Sequence, residues 1–218
     1  MSDKKLYTRS EFENMRTDSA KKMSQDNSLY KDALDVFVRA DRYSWIHQTS
    51  WFGEPVLNLP QDMFAIQEII FQTKPKYIIE VGVAWGGGLL FYSTLMEALG
   101  GQKVIGIDVY IPDDLKERLF SHGKISDRLV LINQSSTDPQ TINQIESIIG
   151  QSRDVLVLLD SFHTHDHVLT ELKCILHSSA KANIWFVETL LWKTSQLKHT
   201  GLDLGGLGII QKPLCTSF

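Results

Sequence analysis

Cysteine is scarce: 218 residues contain Cys174 and Cys215 and no others. Two distant thiols cannot form a disulfide framework, so the sequence predicts reduced cysteines and a cytoplasmic protein. Long apolar runs are also missing, and none reaches the ~18 residues of a membrane span. Met1-Ser2-Asp3-Lys4-Lys5 leads into a polar stretch, unlike a secretory signal. Positive charge is not in excess either. The formal net charge of −4 leaves no electrostatic footprint for nucleic acid, so no nucleic-acid partner is expected. The G-x-G-x-x-G dinucleotide fingerprint is absent too. What is present is length enough for one sizeable core with a small appendage.

The chain is organised around Lys76 to Asp108. Tyr77 to Val81 are almost all apolar or β-branched, as in a strand buried on both faces. Glu80 sits near its end. Gly82, Gly86, Gly87 and Gly88 follow, then a helical run with Leu89, Leu90, Leu95, Met96 and Leu99 at its apolar positions. Gly100-Gly101 stops that helix. Lys103 to Ile107 form a second strand that ends in Asp108. Glycines let a backbone approach a ligand closely. The helix that follows points free N–H groups over the turn. An acid ending the next strand can bond ribose hydroxyls. The site therefore suits a nucleoside. The spacing from Glu80 to Gly86 is E-x-G-x-x-x-G, which suits a ligand with a cationic tail and no pyrophosphate. S-adenosylmethionine fits that description, with NAD as the competing ligand.

The flanks extend the pattern. Residues 1–43 are polar with weak helical periodicity, and Tyr30, Leu34, Val36, Phe37 and Tyr43 fit one amphipathic helix. This predicts an N-terminal helical appendage that packs on the core or on a second subunit. Trp51, Gly53, Pro55, Pro60 and Asp62 mark a structured loop, either sealing the core or walling a ligand pocket. Asp62 is expected to cap a helix through Phe71. Strands are expected at Arg128–Ile132, Asp154–Leu159 and Ile184–Val187. Helices are expected from about Asp113, from Asp138 and from about Asp166 to His177. Strands alternate with helices, so the fold class is α/β, a doubly wound, mostly parallel sheet. Ligands in such sheets bind beyond the carboxyl ends of the strands. Glu80, Asp108, Ser135, Asp160 and Glu188 all fall there.

A second constellation opens at Asp160: D-S-F-H-T-H-D-H-V-L-T-E-L. Its His163, His165, Asp166 and His167 are of ligand type, and three readings compete. H-x-H-D-H resembles the zinc motif of the metallo-β-lactamase fold, but it is one residue short and the sheet is of the wrong kind. Asp160 and Glu188 can instead supply oxygens to Mg²⁺ or another divalent cation, which takes one or two carboxylates and keeps waters. The cation orients a substrate hydroxyl, and His163 serves as general base with Asp160 beside it. In the third, Asp160 caps a turn and the histidines make local hydrogen bonds.

At these residues the chain resembles the cephalosporin hydroxylase / rhamnosyl O-methyltransferase family. The resemblance runs from about Trp51 to Leu190 and rests on W-F-G-E-P-V-L-N-L-P-Q-D, I-I-E-V-G-V-A-W-G-G-G, G-I-D, S-S-T-D-P and D-S-F-H-T-H-D-H-V-L-T-E-L. It implies a Rossmann-like, class I S-adenosylmethionine-dependent methyltransferase domain over residues 44–218, with an atypical tail at 192–218. It implies cofactor binding by Glu80, Gly82, Gly86 and Asp108 with Ser136 nearby, and a divalent metal, usually Mg²⁺, on Asp160 and Glu188. It further implies a sugar or other small hydroxyl acceptor, a homo-oligomer, and peripheral association with lipid-linked glycans in polysaccharide biosynthesis. The chain departs from the family pattern at Gly88, where Ser or Thr is common, at Tyr110, where a second acid is common, and at Glu188-Thr189.

Three functions follow. The leading expectation is a metal-dependent O-methyltransferase (EC 2.1.1.-). The alternatives are a non-catalytic S-adenosylmethionine-binding protein, as a degenerate or truncated family member, and a hydroxylase or other oxidoreductase.

Overall fold

The computed structural model describes residues 7–152, 154–161, 164–178, 183–188 and 208–211. The chain divides into two units, one ending at Ser44 and the other beginning at Trp45. The first holds helices α1 (Arg9–Ser24) and α2 (Asn27–Asp41). Thr8 and Glu11 form a reciprocal capping box at the start of α1. This satisfies two N–H groups that no helical carbonyl can reach. The amphipathic helix expected from Tyr30, Leu34, Val36 and Phe37 is α2, and α1 precedes it as a further helix. Gln25 closes α1 and Asp26 caps α2, its carboxylate accepting from the Leu29 N–H at 3.0 Å. Short acidic side chains favour caps over helix interiors. Tyr43 lies beyond α2.

The second unit opens with a 3-10 helix, Trp45–Gln48, and a hairpin of β1 (Thr49–Trp51) and β2 (Glu54–Val56). Phe52 and Gly53 form the two-residue turn, with φ of 48° and 92°. Positive φ at both positions is what a tight right-twisted hairpin requires. There follow α3 (Pro60–Thr73), β3 (Tyr77–Val81), α4 (Gly87–Leu99), β4 (Lys103–Asp108), α5 (Asp113–Phe120), β5 (Leu129–Asn133), α6 (Pro139–Ile149), β6 (Asp154–Leu159), α7 (His165–Ser178), β7 (Asn183–Glu188) and β8 (Gly208–Gln211). The main sheet runs β5-β4-β3-β6-β7-β8. Neighbours are parallel from β5 to β7, and β8 is antiparallel to β7. This is the doubly wound α/β fold expected, with every expected strand present. The sequence reads no element into residues 192–218, yet β8 lies there, a short glycine-flanked run too brief to carry a pattern.

Each strand feeds both faces of the sheet, because successive side chains alternate. Ile78, Val104, Leu156 and Leu158 pack with α3, α4 and α5 through Met63, Ile66, Leu90, Met96 and Leu115. Tyr77, Ile79, Ile105, Val157 and Leu159 pack with α6 and α7 through Ile145, Ile149 and Ile175. Both faces being covered explains why the strands are near-continuous apolar runs. Among the described residues no helix is long and apolar enough to cross a membrane.

Candidate active site

The winding of the sheet decides where a site can form. From β3 the chain steps outward to β4 and β5, then crosses back to β6 and steps the other way to β7. The carboxyl ends of β3 and β6 therefore flank the topological switch point, where crossover connections part and leave a crevice. Val81 is in register with Leu159, and the Asp160 N–H donates to the Val81 carbonyl at 2.8 Å. On the other side the Gly82 N–H donates to the Ile107 carbonyl at 2.9 Å. Gly82 thus sits between the strand ends that carry Asp160 and Asp108.

Gly82 has to be glycine. Its φ is +96°, and a Cβ there would overlap the Asp160 carbonyl oxygen and lie 2.7 Å from the carbonyl carbon. Ala84 is also left-handed, with φ of 48°. The turn is held by Asp108. One carboxylate oxygen accepts from the Val83 N–H at 2.8 Å and the Ala84 N–H at 3.4 Å, and the other accepts from the Tyr110 N–H at 3.1 Å. Gly86 is the N-cap of α4 with φ of 79°. A Cβ there would strike the Leu119 side chain of α5. Gly87 packs on the β2 backbone, where a Cβ would overlap the Pro55 carbonyl and lie 2.6 Å from the Glu54 carbonyl. The glycine run therefore serves close packing on two sides.

A cleft of about 160 Å³ lies over this turn. Glu80, Gly82 and Asp160 line it, together with Trp85 and with His47 and Asn58 from the segment that precedes α3. Gly86, Asp108 and Ser136 are not among its lining residues. Of the Trp51 segment, Pro55, Leu57 and Asn58 wall the cleft. Trp51 itself seals the core, with its indole N–H on Thr94 at 3.1 Å and its ring edge-on to Phe91. Both expected roles of that loop are thus filled by different residues.

The wall is acidic. Glu80 is 4% exposed. Its Oε2 has no hydrogen-bond partner among the described residues. Burial first, then the Asp160 and Asp108 carboxylates, push Glu80 well above the usual carboxylate range, and the Tyr92 hydroxyl offsets part of this. Asp62 was expected as a helix cap. The cap is Leu59 instead, because Pro60 occupies the first helical position. Asp62 lies within the first turn, buried, where burial and the Asp160 carboxylate push it up to about 6. The sequence marks Asp62 in a loop that seals the core or walls a pocket; it is not among the cleft-lining residues and bears on the site through Asp160.

On the opposite face a second polar group forms. Glu171, fully buried in α7, accepts three hydrogen bonds on Oε1: from Ser136 at 2.6 Å, from Ser161 at 2.8 Å and from His167 Nε2 at 3.0 Å. Ser136, expected beside the cofactor, thus directs its hydroxyl proton to α7. The sequence held a signal for Glu171. Val168, Glu171, Leu172 and Ile175 share one helical stripe, and a glutamate on an apolar stripe needs partners. His163 lies outside the described residues. Glu188 is described in its backbone alone, in register with Leu159 on the neighbouring strand, so the Asp160 and Glu188 positions end adjacent strands. Among the described residues no group of three or more His, Cys, Asp or Glu side chains is placed to hold a metal ion.

A family model, rhamnosyl O-methyltransferase/CmcI, matches residues 43–187. The chain belongs to the rhamnosyl O-methyltransferase/CmcI family. The matched stretch spans the hairpin, the parallel sheet, the glycine turn and the Glu171 group. Among curated relatives, the rhamnosyl O-methyltransferase of Mycobacterium leprae is 30% identical over 129 residues, covering 58% of this chain and 54% of that protein. The rhamnosyl O-methyltransferase of Mycobacterium tuberculosis is 27% identical over 130 residues, covering 59% and 51%. The chain spans about half the length of the curated relatives it matches. Among solved structures, a CmcI complex with Mg and SAM is 19% identical with a TM-score of 0.46, covering 71% of this chain and 64% of that one. An apo CmcI structure is 20% identical with a TM-score of 0.45, covering 65% and 57%.

Proposed function

We propose that this chain is an S-adenosylmethionine-dependent O-methyltransferase acting on a hydroxyl of a sugar or other small molecule, with a divalent cation, Mg²⁺ first, on Asp160 and Glu188. The observation that carries the proposal is the cleft at the switch point, floored by the bare backbone of Gly82 and walled by Glu80 and Asp160. A buried carboxylate oxygen without a partner among the described residues, in the wall of that cleft, suits a ligand with a cationic tail. The family and the names of its curated relatives favour a sugar acceptor.

When bound, S-adenosylmethionine supplies an electrophilic methyl group and the cation acidifies the acceptor hydroxyl. The protein's own part is binding and orientation. Asp108 fixes the turn, and the remaining lone pairs of its carboxylate are available to ribose hydroxyls. Ser136 has committed its proton to Glu171, so toward a ligand its oxygen acts as an acceptor. His47, Asn58 and Leu57 wall the cleft against water. His163 is the proposed base. The proposal extends to a homo-oligomer, a cytoplasmic location and peripheral association with lipid-linked glycans.

Calorimetric titration with S-adenosylhomocysteine, with and without Mg²⁺, tests it. Micromolar binding and a separate Mg²⁺ heat that disappears in Asp160→Ala are expected, with methyl transfer to sugar acceptors in the wild type alone. Nucleoside binding without any Mg²⁺ heat or turnover would point to a cofactor-binding protein that is not a catalyst. No binding would overturn the proposal.

A further inference from the structure

The cluster around Glu171 lies on the α6–α7 side of the sheet, away from the cleft. We infer that Glu171 is a positioning residue: it clamps the Asp160–Ser161 backbone from behind and ties it to the loop after β5. The inference rests on the reading of Asp160 given above for its functional part, and on geometry alone for the clamp.

Glu171 is fully buried, and packing there would be served as well by an apolar side chain, since Val168, Leu172 and Ile175 surround it on the helix stripe. Burying a carboxylate is costly unless strong donors meet it. Three do, all on Oε1, while Oε2 has no hydrogen-bond partner among the described residues, and hydrogen bonds to a charged acceptor are about twice as strong as neutral ones. The donors come from separate pieces of chain. Ser136 belongs to the loop after β5, Ser161 directly follows Asp160, and His167 stands one turn back on α7. His167 and Glu171, at i and i+4, are neighbours on the helix surface. The Ser161 backbone is constrained from the other face too. A Cβ on Gly82 would lie 3.1 Å from the Ser161 nitrogen and overlap the Asp160 carbonyl. The peptide between Asp160 and Ser161 is therefore held between a glycine turn on one side and a buried carboxylate on the other. No covalent step is involved. Glu171 acts on any ligand only through Asp160 and Ser136.

The test compares Glu171→Gln, Glu171→Ala and Ser161→Ala with the wild-type chain. Amide hydrogen exchange, measured without any ligand, reads the clamp itself. Glu171→Gln and Glu171→Ala should accelerate exchange around residues 160–161 and 135–137 while the amides of β3 and β4 hold wild-type protection. Ser161→Ala should accelerate the first segment only. With S-adenosylhomocysteine bound, the Mg²⁺ dissociation constant of Glu171→Gln and Ser161→Ala should rise about 10- to 100-fold, the range for residues that orient metal ligands. The KM for S-adenosylmethionine in Ser161→Ala should stay at the wild-type value, a split that a general loss of stability would not produce. Unchanged exchange at 160–161 in both Glu171→Gln and Ser161→Ala would overturn the inference, whether or not Glu171→Ala folds. Local acceleration in a chain whose wild type binds no S-adenosylhomocysteine would uphold the clamp and overturn the function read into the cleft.

Discussion

The two faces of the sheet solve the same problem by different physics. Both must hold a loop at the carboxyl end of a buried strand. On the α3–α4 face, order comes from excluded volume: Gly82 and Gly87 bring stretches of backbone together so closely that no Cβ fits. On the α6–α7 face, order comes from polar satisfaction, with three donors converging on Glu171 Oε1. Each leaves one buried carboxylate oxygen without a partner among the described residues, Glu80 Oε2 on the first and Glu171 Oε2 on the second. They differ at the other oxygen, because Glu171 Oε1 gathers three donors from separate pieces of chain. A face organised by bare backbone is free to receive a ligand, whereas a face organised by side-chain bonds is suited to holding the first one still. The two ought to break differently, by steric clash on one side and by orphaned donors on the other.

The largest effect belongs to Gly82→Ala. The new methyl would overlap the Asp160 carbonyl at a φ of +96°, and backbone on both sides cannot yield cheaply. A loss of more than about 3 kcal/mol is expected, read from the urea midpoint. Gly100→Ala serves as the control for φ alone. It is left-handed, with φ of 79° and ψ of 23°, and has nothing within 4 Å of the added Cβ, so a loss of about 1 kcal/mol is expected. Equal losses in the two variants would mean that conformational strain, not close approach, organises the turn.

Asp62→Asn comes next, and it acts through pH. The Asp62 carboxyl is pushed from 3.8 up to about 6 in the folded chain. Between those values the native state holds more protons than the unfolded one, so stability falls as pH rises from about 4 to about 6 and is flat beyond. At 1.36 kcal/mol per unit, the ionised group costs at most about 3 kcal/mol at neutral pH. Asp62→Asn should recover most of this at pH 7 and little at pH 4. Thermal melts at the two pH values would settle it, and a variant gaining nothing at pH 7 would place the cost elsewhere.

Much of the architecture was legible in the chain itself, because buried parallel strands are apolar runs with a polar residue at the end. Ile78 through Glu80 and Val155 through Asp160 carry that signature plainly. The hairpin was legible only as a structured loop, since strands of three residues have no period to read. Asp62 was misread because Pro60 takes over the start of the helix, a local choice that the acid alone does not reveal. The cleft residues Glu80, Gly82 and Asp160 were marked from strand ends and glycine spacing. Glu171 was not, because its importance lies in contacts with Ser136, which is 35 residues away in the chain. Gly86 was marked for a ligand, whereas its place against Leu119 is set by packing between helices that no local pattern encodes.

Asp108→Asn should cost about 2 kcal/mol, within the range for hydrogen bonds to a charged group. Its amide cannot accept on both sides, so either Val83 and Ala84 or Tyr110 lose their acceptor. If Asp108 also holds the nucleoside, as proposed, S-adenosylhomocysteine affinity should fall in parallel. Stability lost with affinity retained would confine Asp108 to holding the turn.

The smallest effect, and the sharpest division between the two kinds of order, lies at Gly88. A Cβ there would come 2.7 Å from Glu80 Oε1. Unlike the partner of Gly82, this atom ends a side chain and can swing away. Replacing a helical glycine also gains up to about 1 kcal/mol of propensity. Gly88→Ala should therefore fall within about 1 kcal/mol of wild type, the gain offsetting the displacement of Glu80. Gly88→Ser meets the same contact but brings a hydroxyl that can donate to the Glu80 carboxylate. It should be the more stable of the two by about 1 kcal/mol, the worth of one net hydrogen bond. A serine variant no more stable than the alanine variant would mean that Glu80 turns away from the new hydroxyl. The cleft wall would then resemble the Glu171 face more closely than the close-packed backbone of Gly82.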